Sequence, residues 1–124
     1  MRSTEAAQSY RDLRVWQEGM NLAESCYRIT KSFPKKERYG LISQIRRSAV
    51  SIPANIAEGY GRNSRGEYIQ FLHIAQGSLN ELVTHLLLSK RLEVTQPEVL
   101  ESVLSQSETV SKILYALIAS LRKQ

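Results

Sequence analysis

Apolar residues recur along this chain at alternating steps of three and four, the spacing that gives an α-helix one buried stripe. Four such stretches follow one another, and no segment shows the two-residue alternation of a half-buried strand. In the first, Val15, Trp16, Gly19, Met20, Leu22, Ala23, Cys26, Tyr27 and Ile29 make a broad apolar face and predict a helix over about 12–31. In the second, Leu41, Ile45, Ala49, Ile52 and Ile56 predict a helix over about 37–58, ended by Gly59 and Gly61 through the left-handed conformation glycine accepts. The third stripe, Tyr68, Phe71, Leu72, Ala75, Leu79, Leu82 and Leu86, predicts a helix to about residue 90. Ser64 and Glu67 have the spacing of a capping box at its start. The fourth stripe, Leu100, Val103, Ser107, Val110, Leu114, Leu117 and Leu121, keeps a 3.5-residue repeat to about residue 121. Thr95 and Glu98 form a second candidate capping box there, with Pro97 in the first turn.

Links of about five residues favour antiparallel neighbours. The expected fold is therefore all-α, an up-down-up-down four-helix bundle. Residues 1–9 read as a flexible N-terminal tail and residues 10–124 as a single bundle domain. A chain of 124 residues with 42% apolar content supports one sizeable core.

Charge changes this picture locally. The formal net charge is +5. Between residues 35 and 65 lie seven basic residues, Lys35, Lys36, Arg38, Arg46, Arg47, Arg62 and Arg65, opposed only by Glu37 and Glu58. That difference is +5, and the remaining ten basic and ten acidic residues cancel. The whole positive excess thus sits in the second helix and its flanks. Local charge of this kind attracts polyanions, and it also serves solubility.

The second helix carries Pro53 in its interior, which removes one backbone hydrogen bond and costs about 3 kcal/mol unless the surroundings compensate. Ala49, Ala54 and Ala57 keep its neighbourhood small, consistent with close helix packing. A polar stripe of Gln44, Arg47, Ser51, Asn55 and Glu58 runs along one face of this helix, and Arg46 lies on the other flank of the core stripe. Either Arg47 and Glu58 pair with a neighbouring helix or subunit, or the arginines hold phosphate, for which the guanidinium fork is well shaped. Both readings hold together if Arg47 is structural and Arg46 free. Tyr39 and Tyr60 bracket the helix and suit either base stacking or a subunit contact. The candidate oligomer interface is therefore Tyr39, Arg47, Asn55, Glu58 and Tyr60.

Other chemistry is thinly represented. The single cysteine, Cys26, lies on an apolar face without an evident activating partner, which favours packing. His73 and His85 lie twelve residues apart and cannot act as neighbouring ligands, though Glu81 and His85 can pair at i and i+4. Gly59-Tyr60-Gly61 follows a helix rather than a strand, unlike a dinucleotide or P-loop motif. No catalytic residue, cofactor or metal is expected, and the chain is not expected to be an enzyme. A polar N-terminus and no apolar run near the roughly 20 residues of a membrane span favour a cytoplasmic protein with no membrane partner.

Three motifs carry a resemblance: DLRVWQ at 12–17, FPKKERYGLISQIRRSAVSIPANIAEGYGR at 33–62 and YIQFLHIAQGSLNEL at 68–82. Over residues 10–92 the chain resembles the bacterial four-helix bundle family called 23S rRNA intervening-sequence proteins. It departs in having Tyr10 where the family usually has Phe, and Gly19-Met20 where alanine is common. The resemblance implies a subunit that assembles into a homopentameric ring, encoded by a gene often found within insertions in 23S rRNA genes. A similar bundle, the accessory variability determinant of diversity-generating retroelements, is a basic pentamer that binds nucleic acid and its reverse transcriptase. By that analogy RNA or DNA and a protein such as a reverse transcriptase are expected partners, with Arg46, Arg47, Arg62 and Arg65 as contacts. The competing expectation is a protein-interaction scaffold whose basic helix forms a subunit or partner interface.

Overall fold

The structure, a computed structural model, describes residues 8–124. Residues 1–7 of the expected tail lie outside the described residues, while Gln8 and Ser9 join a turn. Ser9 Oγ accepts from the Arg11 amide at 3.1 Å and caps a 3-10 turn, Tyr10–Asp12. Four α-helices follow among the described residues, without strands: α1 Arg14–Thr30, α2 Ser43–Tyr60, α3 Arg65–Arg91 and α4 Pro97–Arg122. Each packs on its sequence neighbours and α4 closes back onto α1, giving the square of an up-down-up-down bundle.

The core is aliphatic. Leu22, Ile45, Ile52, Ile56, Leu72, Leu82, Leu86, Leu100 and Leu114 are fully enclosed. All five stripe residues expected in the second helix are buried. Elsewhere the expected stripes are too wide. Met20 and Tyr27 are 45% and 41% exposed, because only about a third of a helix circumference faces the centre of a four-helix square. In α4 the core stripe ends on Ile118, with Leu117 and Leu121 only half-buried. The strict heptad thus gives way to the 3.6-residue period in the last turns.

Four hydroxyls enter this core and bond to the backbone of their own helix. Thr30 donates to Cys26 O at 2.8 Å, Ser48 to Gln44 O at 2.9 Å, Ser89 to His85 O at 2.8 Å and Ser107 to Val103 O at 3.0 Å. Each satisfies itself one turn back, so its burial leaves no unpaired donor.

The contact between α2 and α3 is the most extensive in the bundle, and glycine permits it. A Cβ on Gly59 would lie 2.7 Å from Phe71 Cβ. Neither Gly59 nor Gly61 adopts a positive φ, so the expected left-handed helix stop is absent. Gly59 instead admits α3. Pro53 is buried within an unbroken α2 and packs against α1, where a Cβ on Gly19 would lie 3.6 Å from Pro53 Cβ. The small surroundings expected around Pro53 are therefore realised at Gly19.

The helix ends also correct the sequence reading. Ser64 Oγ accepts from Glu67 N at 3.1 Å and caps α3 as expected. At α4 the N-cap is Gln96, and the Thr95 hydroxyl shares a 2.8 Å hydrogen bond with Ser32, joining two loops. The second expected helix does not begin at Glu37. A 3-10 turn, Lys35–Glu37, leads into a π-helical turn, Arg38–Ile42, and only then into α2. Gly40 has a non-helical backbone there, with φ −110° and ψ −110°. The Glu37 carboxylate accepts from Leu41 N at 3.3 Å, taking the place of a helical carbonyl.

Candidate nucleic-acid interface

The seven basic residues are close in sequence and divided in space. Lys35, Lys36 and Arg38 precede α2, whereas Arg62 and Arg65 follow it. The 18 residues of α2 separate these groups by about 27 Å. The positive excess is therefore not one patch. It forms two poles at opposite ends of the bundle, with Arg46 and Arg47 between them.

Arg46 is engaged inside the subunit. Its Nε donates to Thr30 Oγ1 at 2.9 Å and its Nη2 to Tyr27 O at 3.3 Å. The guanidinium also lies over the Tyr27 ring, 4.6 Å from the centroid. It fastens α2 to the last turn of α1, where exposed carbonyls and the helix dipole favour a cation. Arg47, one residue on, is exposed and has no ion pair or hydrogen bond among the described residues. Arg46 is thus bonded within the subunit and Arg47 open to solvent, the reverse of the arrangement in which both readings would hold together.

At the far pole Arg62 bonds Glu58 at 2.6 Å and covers the Phe71 ring at 4.6 Å. Arg65, in the first turn of α3, is exposed and unpaired among the described residues. Asn55 turns inward and donates to Ser51 O at 2.8 Å and Ser51 Oγ at 2.9 Å. Ser51 in turn shares a 2.8 Å hydrogen bond with Ser78 of α3. The middle of the polar stripe, Ser51 and Asn55, is therefore spent inside the subunit, while Gln44, Arg47 and Glu58 remain exposed.

The two flanking tyrosines differ sharply. Tyr60 packs edge-on against Tyr68, with centroids 5.9 Å apart. Tyr39 is 88% exposed and has no partner among the described residues. Lys35, Lys36 and Arg38 beside it are also unpaired among those residues, with both lysines and the arginine reaching solvent. The Glu37 carboxylate within this run is occupied by the Leu41 amide.

Sequence reasoning missed Thr30 and Tyr27 as partners of Arg46. Thr30 stands one helical step beyond Cys26 on the core stripe, which was a usable signal. It also missed an apolar groove of about 500 Å³ between α1 and α2, lined by Tyr10, Trp16, Met20, Tyr27, Val50 and Ala54 among others. Tyr10 packs edge-on against Trp16 at its rim, with centroids 5.3 Å apart.

Burial pushes the Cys26 thiol up to about 12, which suppresses the thiolate. Tyr68 is also pushed to about 12, mainly by burial and further by Tyr60. The Glu81–His85 pair does not form, and His85 Nε2 is buried without a hydrogen-bond partner. Among the described residues no three His, Cys, Asp or Glu side chains gather as a metal site, and no helix is long and apolar enough to cross a membrane.

Comparison with known proteins agrees with this architecture. No curated protein matches the chain. A crystal structure of a protein of unknown function from the S23 ribosomal protein family of Bacteroides thetaiotaomicron is similar, with a TM-score of 0.78 and 30% identity. The match covers 84% of this chain and 97% of that one. Residues 11–116 match the family described as 23S rRNA-intervening sequence protein, a span that takes in all three sequence motifs and most of α4. The four-helix bundle and this match together establish that the chain belongs to the 23S rRNA-intervening sequence protein family.

Proposed function

We propose that this protein is a non-enzymatic, ring-forming nucleic-acid-binding bundle. The observation that carries the reading is the set of cations left without a protein partner. Lys35, Lys36, Arg38, Arg47 and Arg65 are unpaired among the described residues, while both acids of the segment are engaged. A polyanion satisfies such groups by displacing condensed counterions. Arg46 and Arg62 contribute to the field while serving the fold. Assembly strengthens the argument, since five copies of a +5 chain carry about +25 and engage a polymer at several points.

The apolar groove between α1 and α2 supports self-association. Met20, Tyr27 and Val50 are large apolar residues left partly exposed along it. Contiguous apolar surface of this kind marks protein contacts. On this reading the subunit contact lies on the flank of α2 away from its polar stripe.

The test is affinity for RNA and duplex DNA across a salt series, with oligomer mass followed by light scattering. A log–log salt slope equivalent to several phosphates is expected. Removing Lys35, Lys36, Arg38 or Arg47 should lower that slope by about one each. A flat salt dependence overturns the reading. A monomer in solution overturns the ring.

If the same surfaces serve a protein scaffold, Arg47→Ala breaks the oligomer before it changes any nucleic-acid affinity. The unpaired cations favour the first reading, and Arg47 stands apart from the groove that supports self-association.

A further inference from the structure

We infer that the pole formed by Lys35, Lys36, Arg38 and Tyr39 binds single-stranded nucleic acid, with Tyr39 as the stacking platform for a base. The inference rests on the nucleic-acid reading above and specifies its site and ligand form. Tyr39 is the most exposed of the large hydrophobic side chains, at 88%, and its ring meets no other aromatic or cation among the described residues. Three of the four residues preceding it are cations, and none of the three is buried. The intervening Glu37 is turned onto the Leu41 amide, so it does not neutralise them by pairing.

The backbone explains how the tyrosine comes to stand out. In a continuous helix from Glu37, Tyr39 would lie within the first turn, among its helical neighbours. The π-helical turn and the non-helical Gly40 interrupt that path. Leu41 then enters the core, while Lys35, Lys36, Arg38 and Tyr39 remain exposed. A Cβ on Gly40 would lie 3.0 Å from Glu37 Oε1, the mobile end of that side chain. Cations beside an open aromatic face are the elements of a single-strand site, in which ammonium and guanidinium groups follow phosphates and a ring accepts a base.

A duplex does not use this site fully. Its bases are stacked on one another and offer no free face to a side chain, so only the phosphate contacts remain. Tyr60, which sequence reasoning paired with Tyr39, lacks the open ring because it packs on Tyr68. The same pole also bears Lys31 and Arg91 as exposed cations and Glu93 and Glu98 as exposed acids. The field is therefore moderate, and stacking has to supply part of the affinity.

The experiment uses the full chain, a labelled oligouridylate, the matching RNA duplex and an abasic strand of the same length. Anisotropy titrations compare the wild type with Tyr39→Ala, Tyr39→Phe and the triple variant Lys35→Ala, Lys36→Ala, Arg38→Ala. Tyr39→Ala should weaken oligouridylate binding about tenfold and leave the abasic strand and duplex unchanged, while Tyr39→Phe retains the affinity. Equal binding of oligouridylate by wild type and Tyr39→Ala overturns the inference. So does a change of oligomer mass in Tyr39→Ala, which would assign the tyrosine to a subunit contact. If the triple variant still loses duplex affinity in either case, the general nucleic-acid reading stands and only the stacking site fails. If neither strand nor duplex binds with a salt-dependent affinity, both fail.

Discussion

Arg46 Nε donates to Thr30 Oγ1 at 2.9 Å, and that hydroxyl itself donates to Cys26 O at 2.8 Å. A charged side chain on α2 thereby holds a buried residue of α1, and the neighbouring Tyr27 carbonyl receives a second bond. Arg46→Ala should destabilise the fold by about 1–3 kcal/mol, the range for a hydrogen bond to a charged group. Arg47→Ala, one residue on but exposed, should stay within about 0.5 kcal/mol. Urea denaturation of both variants checks the difference. Equal losses would place the structural role on both arginines.

Glycines at two positions should respond to alanine with opposite signs. Gly59→Ala places a Cβ 2.7 Å from Phe71 Cβ, so α2 and α3 must separate, at a cost of about 1–3 kcal/mol. Gly77 lies within α3, and an added Cβ there would meet nothing within 4 Å, so Gly77→Ala should stabilise by about 0.5–1 kcal/mol. Thermal melts of the pair provide the measurement. A destabilising Gly77→Ala would show that its outward face is occupied in the assembly.

Ile45 and Ile52 are both fully buried on α2. Replacing either with alanine should cost about 2–5 kcal/mol by leaving a cavity in a close-packed core. A loss below about 1 kcal/mol in chemical denaturation would mean that the site collapses onto the missing volume.

Alkaline pH should weaken the bundle. The Cys26 thiol and the Tyr68 phenol both have folded-state values raised to about 12, from ordinary values of 9.0 and 10.0. Both groups stay neutral in the folded chain while the unfolded chain ionises. The stability they contribute is fully present below pH 9 and is lost as pH rises toward 12. Stability measured by urea at a series of pH values should be flat below about 9 with respect to these groups and fall above it. Cys26→Ala should remove the earlier part of the fall. A thiol reagent at mildly alkaline pH should label Cys26 at the rate of unfolding rather than at the rate of a free thiol.

Glu93 terminates α3 with φ 54°, and the Val94 amide reaches back to Ser89 O at 3.3 Å. This is the left-handed closure that glycine favours. Glu93→Gly should stabilise the protein by about 0.5–1 kcal/mol, readable as a higher melting temperature.

The core stripe of α2 and the turn before it was legible because Leu41, Ile45, Ala49, Ile52 and Ile56 need only periodicity to be placed. The entry to α2 was not, because it depends on one carboxylate. Glu37 competes for the Leu41 amide, and no propensity scale records that choice. Thr95 had the spacing of a cap, but its hydroxyl is taken by Ser32 across a contact made only after folding. Periodicity placed Arg46 and Arg47 on different faces correctly. It could not say which face held a partner, because Thr30 and the Tyr27 carbonyl belong to another helix. The charge of the candidate site was legible as a sum and not as a shape, since α2 carries the two cationic groups to opposite ends.

The interrupted backbone at Gly40 also bears on how this surface can change over time. The cations and the tyrosine before Gly40 lie outside the unbroken hydrogen-bonded run of α2, whereas Leu41 and Ile45 beyond it are buried. Substitutions at 35, 36, 38 and 39 therefore fall outside the core, where most replacements shift stability by no more than about 0.5 kcal/mol. On the proposed reading, selection can retune recognition at that pole almost independently of whether the bundle folds. A laboratory library randomised at those four positions should yield mostly folded variants, which makes the turn a natural place to evolve new specificity.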